Sequence, residues 1–214
     1  MTIAQHLSKT AERYTPAVVA EKAHTLMGGI DLDPASSWLA NRAIRAKKYF
    51  GTGERNGELV FVDGFYNKWA GRVFLNPPGG RAPKGNPAGT QSNATMWWWR
   101  LANAWKSGAV TQAVFVGFTM ELLRTAQHVD APQPMTFPMC VPRDRMCFAT
   151  PSEVDEFDRP VLGAERVESN DPTHGNVIIY LPPHDGHRHV RVRRTTGAAH
   201  MFKRIFEDLG EVRV

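Results

Sequence analysis

Residues 72–80 read RVFLNPPGG, an apolar run that ends abruptly in an asparagine, two prolines and two glycines. Arg72 to Leu75 has the β-branched and aromatic content of a strand, and a proline cannot donate to a sheet ladder, so the strand must stop at Asn76. Each proline fixes its own φ and restricts the residue before it, so the turn is stiff. A strand that ends in this way presents two oriented acceptors, the side-chain carbonyl of Asn76 and the backbone carbonyl of Pro77.

Working outward, the chain alternates strand and helix signals. Thr15-Pro16 opens a helical pattern with Thr15 as N-cap, Pro16 at the first helical position and Val18, Val19, Ala23 and Leu26 on one face, closed by Gly28-Gly29. IDLDPASS follows as a short strand expected to stop at Asp33-Pro34, with Ser36 or Ser37 capping a second helix to about Ala46. AKKYF and ELVFV are two further strands separated by the turn-rich GTGERNG. After NPP, GGRAPKGNPAGTQSN is a loop long enough to be functional or disordered. A tryptophan-rich helix over residues 94–106, the strand QAVFVGF and a helix over residues 120–128 come next. MTFPMCVP with RMCFAT forms a strand or hairpin, and NVIIYLPP is the seventh strand. The alternation predicts an α/β fold with a mainly parallel central sheet and helices on both faces. Residues 1–183 are expected to form the principal domain, with 184–214 a basic extension packed on it and ending in a helix near residues 198–209.

Composition narrows the function classes. A chain of 214 residues that is 42% hydrophobic can bury a core without staples. Cys140 and Cys147 form no CxxC and have no nearby His pair, so neither a disulfide framework nor a zinc site is indicated, and no metal is expected. No apolar stretch has the length of a signal core or membrane span, which points to a cytoplasmic protein with no membrane partner, and no pattern marks an obligate protein partner. The net charge of +5, concentrated in HRHVRVRR at 187–194, fits either a phosphate-tracking patch or an ordinary solvated surface.

In parallel sheets, ligands bind at the carboxyl ends of strands, and two strands here end in polar residues, Asp33 and Asn76. The chemistry that suits Asn76-Pro77-Pro78 is activation of an amine. An exocyclic amine on a nucleobase is a poor nucleophile because its lone pair is delocalised into the ring. Two acceptors holding its two N–H groups bias the nitrogen towards tetrahedral geometry and free the lone pair to attack a methyl group on a sulfonium.

The ordered set YTPAVVAEKAHTLMGGIDLDPASSWLAN, then W-x-G-R-V-F-L-N-P-P, then WKSGAVTQAVFVGF resembles the phage-type DNA N-6-adenine methyltransferase (Dam) family, over residues 14–183. The resemblance implies a Rossmann-like fold, S-adenosylmethionine as cofactor and DNA as substrate. It implies that Thr15-Pro16 contact the methionine end of the cofactor and that Asp33-Pro34 bind its amino-acid portion, with Asp31 a lesser candidate. Asp63 would lie near its adenine, and Asn76, Pro77 and Pro78 would form the catalytic turn.

Such turns usually carry an aromatic fourth residue that stacks on the extruded base, where this chain has Gly79 followed by Gly80. Phe65, Tyr66, Phe118 and the Trp97 to Trp99 run are the aromatics that could replace it. DPASSW also lacks the glycine-rich loop seen in many methyltransferases. Arg143 and Arg145, ahead of RMCFAT, could touch phosphate or base, or lie on the surface. N-4-cytosine methylation would use the same acceptor pair, and a silent descendant that only binds DNA is the alternative that Gly79 suggests.

Overall fold

In the computed structural model, which describes residues 13–168, 175–183 and 196–214, the elements in chain order are α1 (Ala17–Met27), β1 (Leu32–Ser37), α2 (Trp38–Ile44), β2 (Lys48–Arg55), β3 (Glu58–Val62), β4 (Gly71–Leu75), α3 (Asn93–Lys106), β5 (Val110–Phe118), α4 (Thr119–Thr125), β6 (Met139–Pro142), β7 (Thr150–Pro151), β8 (Arg166–Val167), β9 (Asn176–Leu181), α5 (Thr196–Phe206) and β10 (Gly210–Arg213). The RVFL run is β4, at the centre of an eight-stranded sheet ordered β10-β6-β9-β5-β4-β1-β2-β3. β2, β1, β4 and β5 pair in parallel. β9 is antiparallel to both β5 and β6, so β6 points the same way as β5. β3 and β10 close the two edges antiparallel. The fold is α/β, with a large mixed sheet that is parallel through its β2-β1-β4-β5 centre.

Alternation along the central strands fills both faces. Val73, Leu75, Ala113, Phe115, Val177, Ile179 and Leu181 pack on one face with Trp97, Trp98, Leu101 and Trp105 of α3. Phe74, Val114, Val116, Ile178 and Tyr180 pack on the other with α1 and with Phe202 and Phe206 of α5. This is the period-2 pattern of strands buried on both sides, and it explains why these runs read as continuously apolar.

Three local expectations change. β1 does not stop at Asp33-Pro34. It continues to Ser37 through an irregularity in which its register against β2 shifts between Asp33 and Ser36, so the proline is accommodated at a bulge. GTGER is strand, not turn, because the reversal is confined to Asn56 and Gly57, whose positive φ values of 54° and 81° suit a two-residue hairpin. Thr15 is not the N-cap of α1: the helix starts at Ala17, with Pro16 in the capping position and no side-chain cap. Gly28, in the left-handed region, ends α1 as the sequence indicates.

Residues 196–214 are integral to the domain, since α5 contributes Phe202 and Phe206 to the core and β10 pairs with β6. The stretch 187–194 lies outside the described residues. No helix among the described residues is long and apolar enough to cross a membrane.

Candidate functional site

The chain leaves β1 for β2 on one side and later returns to β4 on the other, so the strand order reverses between β1 and β4. Ligand crevices form at such a switch point, beyond the carboxyl ends of the strands. Here the opening begins early, because β1 and β4 are in register only at Leu32 and Val73. Beyond that pair, the bulge carrying Pro34, which has no N–H, replaces the ladder. Asp33 lies at this opening on β1, and Asn76 directly follows β4.

A strap formed by residues 13–15 spans the two strand ends. The Asn76 side-chain Nδ2 donates to the Arg13 carbonyl at 2.7 Å. Ser37 Oγ, at the end of β1, donates to Tyr14 Oη at 3.4 Å. Tyr14 is tied further to Ala149 by two backbone bonds of 2.8 and 3.0 Å. The Arg13 contact fixes which way the Asn76 amide is turned, because only the NH2 group can bond a carbonyl. Its Oδ1 is left without a donor among the described residues, and so is the neighbouring Pro77 carbonyl. The strap thus turns Asn76 Oδ1 away from Arg13, and both acceptors that the sequence singles out are unoccupied among the described residues.

Asp33 is 3% exposed and has no cationic partner among the described residues, and it accepts a hydrogen bond from Ala35 N–H at 3.2 Å. Burial pushes its carboxyl up to about 7, against the opposing pull of that N–H and of the Ser36 side chain. Such a group favours a ligand that brings positive charge. Thr15, 2% exposed, ends the strap, Pro16 joins it to the uncapped start of α1, and Pro34 is buried in the bulge. Asp63 follows β3, and its Oδ1 accepts from Phe65 N–H at 2.8 Å. The next residue, Gly64, approaches β1 so closely that a Cβ there would lie 1.8 Å from the Pro34 carbonyl oxygen. Asp63 is therefore brought to the same end of β1 as Asp33.

Asp31 does not join this group. It precedes β1 at the amino end, where Arg72 clamps it: Nε donates to Oδ2 at 2.7 Å, Nη2 to Oδ1 at 2.8 Å and the Arg72 backbone N–H to Oδ2 at 3.0 Å. Lys47 adds an ion pair at 3.0 Å. Together these hold the Asp31 carboxyl well below the usual carboxylate range, with the Arg72 side chain the largest cause. Asp31→Ala should therefore destabilise the fold by about 2 kcal/mol, having left Arg72 half-buried without its partner, while ligand affinity stays unchanged. Denaturant unfolding beside calorimetric titration checks both halves.

The loop after NPP is ordered. Asn86 knots it by donating to the Pro83 and Thr90 carbonyls, each at 2.7 Å, and Arg81 bridges Ser92. Asn93, at the start of α3, donates from Nδ2 to the Gly79 carbonyl at 3.2 Å and from its backbone N–H to the Gly80 carbonyl at 3.1 Å. These bonds pin Gly79 and Gly80 to the helix start, leaving both residues exposed. Of the aromatics, Trp98 is wholly buried and Trp97 packs on Phe65 with centroids 5.3 Å apart, so both are core, as is Phe65. Tyr66, 5.1 Å edge-on from Phe65, is 72% exposed. Phe118 ends β5, and its side chain lies outside the described residues.

Arg143 and Arg145 are exposed just past the carboxyl end of β6, on the same edge of the sheet as Asn76. Three strand spacings separate β6 from β4, about 14 Å, so these arginines flank the crevice rather than line it. Asn176, which opens β9 opposite Phe118, is 4% exposed with Oδ1 unpartnered. The sequence offers no signal for it beyond its place before a strand. Among the described residues no cluster of His, Cys, Asp or Glu is arranged to hold a metal ion. Comparison with protein families, with curated proteins and with solved structures finds no match.

Proposed function

We propose that the protein transfers a methyl group from S-adenosylmethionine to the N-6 amine of adenine in DNA. The observation that carries this reading is the pair of unpartnered acceptors, Asn76 Oδ1 and the Pro77 carbonyl, at a strand end beside a buried, unpaired carboxyl. The sheet is compatible with a Rossmann-like methyltransferase, in which the crevice at the order reversal holds the ligand. Asp33 suits the ammonium of the cofactor's amino-acid end, and Asp63 suits a ribose hydroxyl. When bound, S-adenosylmethionine supplies an electrophilic methyl group and leaves as the neutral thioether.

Asn76 Oδ1 and the Pro77 carbonyl would each accept one N–H of the target amine, which would localise the nitrogen lone pair and turn it towards the methyl donor. Pro77 and Pro78 keep the acceptors from rotating. One amine proton then passes to water. The base must leave the duplex stack to reach this turn, and Tyr66 is the exposed aromatic joined to it, through Phe65, Trp97 and the α3 start that binds Gly79. Tyr66→Ala should raise the KM for DNA and lower kcat/KM by roughly tenfold, within the range of one lost stacking contact, whereas Tyr66→Phe retains activity. Steady-state kinetics with unchanged S-adenosylmethionine affinity in both variants tests this.

Transfer of labelled methyl groups to unmethylated DNA, followed by nucleoside analysis, tests the whole reading. Labelled N6-methyladenine supports it, and N4-methylcytosine reassigns the base. Absence of transfer with DNA still bound favours the second reading, a silent DNA-binding descendant, for which Gly79 in place of an aromatic is the specific observation.

A further inference from the structure

The strap is held from a second side by a group that this contact does not exhaust. Residues 150–168 form a flap closed at its base by β7 and β8, which pair Thr150 with Val167 and Pro151 with Arg166. From β8, Arg166 Nη2 donates to the Thr15 carbonyl at 3.0 Å and Nε donates to Glu168 at 2.8 Å. Glu168 is largely exposed, so that ion pair is the outer, solvent-screened one. Arg166 Nη1 is buried and has no hydrogen-bond partner. Buried donors in folded proteins are almost always paired, so an orphaned guanidinium nitrogen calls for an acceptor that the described residues do not supply.

Through the Thr15 carbonyl, the same guanidinium reaches the segment that leads into α1. Thr15 precedes the start of α1, where Pro16 provides no side-chain cap and the N–H groups of Ala17 and Val18 bond no described acceptor. An anion there would meet the orphaned guanidinium nitrogen and a helix N-terminus together. The opposite deficiency lies along the same strap-covered crevice, where Asp33 is buried with no cation. Among the described residues, Arg166 Nη1 lacks an acceptor and Asp33 lacks a cation. A ligand carrying both charges on one carbon, an α-amino acid, answers both.

We propose that Arg166 binds the carboxylate of an α-amino-acid headgroup whose ammonium is taken by Asp33, so that the flap 150–168 is part of the ligand site. The assignment rests on the methyl-donor reading, since S-adenosylmethionine is the ligand of that reading that carries such a headgroup. It adds a residue and an element that neither the NPP turn nor the strand ends indicate. It also gives the flap a function: Arg166 holds the strap by one nitrogen and the ligand by the other, which couples headgroup binding to the placement of Arg13, the residue that turns the Asn76 amide.

The test deletes the two partners separately. The full-length chain, as wild type, Arg166→Gln and Arg166→Lys, is titrated calorimetrically with S-adenosylmethionine and with its decarboxylated analogue. The wild type should prefer the carboxylated ligand at least tenfold. Arg166→Gln should weaken S-adenosylmethionine binding at least tenfold more than it weakens binding of the analogue, so the preference vanishes, and Arg166→Lys should restore part of it. Equal weakening towards both ligands would make Arg166 a brace for the strap alone and overturn the assignment. So would a wild type that binds both ligands equally, an outcome that needs no variant to fold. Binding of neither ligand by the wild type would overturn the methyl-donor reading and this assignment with it.

Discussion

Asn76→Ala should lower single-turnover methyl transfer by at least a hundredfold, the scale of one lost preorganised transition-state hydrogen bond, while S-adenosylmethionine affinity stays close to wild type. The same substitution also deletes the Nδ2 bond to the Arg13 carbonyl, so a stability loss of about 1 kcal/mol accompanies it. The two effects must be separated, and Asn76→Asp separates them. Its carboxylate keeps an acceptor for the amine but has no N–H for Arg13, and its charge repels that carbonyl. Asn76→Asp should therefore show the larger drop in melting temperature and the smaller drop in transfer per folded molecule. If transfer per folded molecule is unchanged in Asn76→Ala while its melting temperature falls, Asn76 is a strap anchor and has no catalytic role.

That experiment turns on a contact that sequence reading could not supply. The RVFLNPP run predicts a strand, a rigid stop and two acceptors, because each follows from residue type at adjacent positions. It does not predict that residue 13, 63 positions away, fixes the orientation of the amide. α3 was legible for the same local reason: Ser92 caps it by accepting from Thr95 N–H, and Gly108 follows its end.

The misread places are those where a tertiary or two-residue feature overrides composition. GTGERNG looks like loop by content, yet Asn56 and Gly57 alone make the reversal. Asp31 and Asp33 look interchangeable two residues apart, but Arg72, inside the quoted motif itself, claims Asp31 and leaves Asp33 unpaired. Arg166 sits in an acidic, unpatterned stretch and acquires significance only when the flap brings it to Thr15. The needs that the described residues leave unmet, a cation for the Asp33 carboxyl, a donor for Asn76 Oδ1 and an acceptor for Arg166 Nη1, gather along the strap, and such local inconsistencies are where function is expected to reside.

Asp33 offers the other large effect, and its sign follows from its environment. Its carboxyl titrates near 7 in the folded chain, because burial disfavours the charged form, and near 3.9 when unfolded. Below about pH 4 both states are protonated, and the neutral group carries no penalty. Between about pH 4 and pH 7 the folded chain holds a proton that the unfolded chain has released, so stability falls as pH rises, by at most about 1.4 kcal/mol per unit. Above pH 7 the slope vanishes and the cost of a buried, unpaired carboxylate is complete. Asp33→Asn removes that ionisation. Its stability advantage over wild type should therefore grow from pH 4 to pH 7 and persist at pH 8, while its affinity for S-adenosylmethionine falls at least tenfold, because an amide cannot pair with an ammonium.

In the wild type at pH 6, headgroup binding should expel about one proton as the ligand's charge draws the carboxyl back to its ionised form. Calorimetry in buffers of different ionisation enthalpy counts that proton. Parallel pH–stability curves for wild type and Asp33→Asn, or equal ligand affinity in the two, would remove Asp33 from the site. A variant that is more stable at pH 8 and yet cannot bind would instead identify the buried carboxyl as a group the fold tolerates at a cost, in the place where only a cationic ligand relieves it.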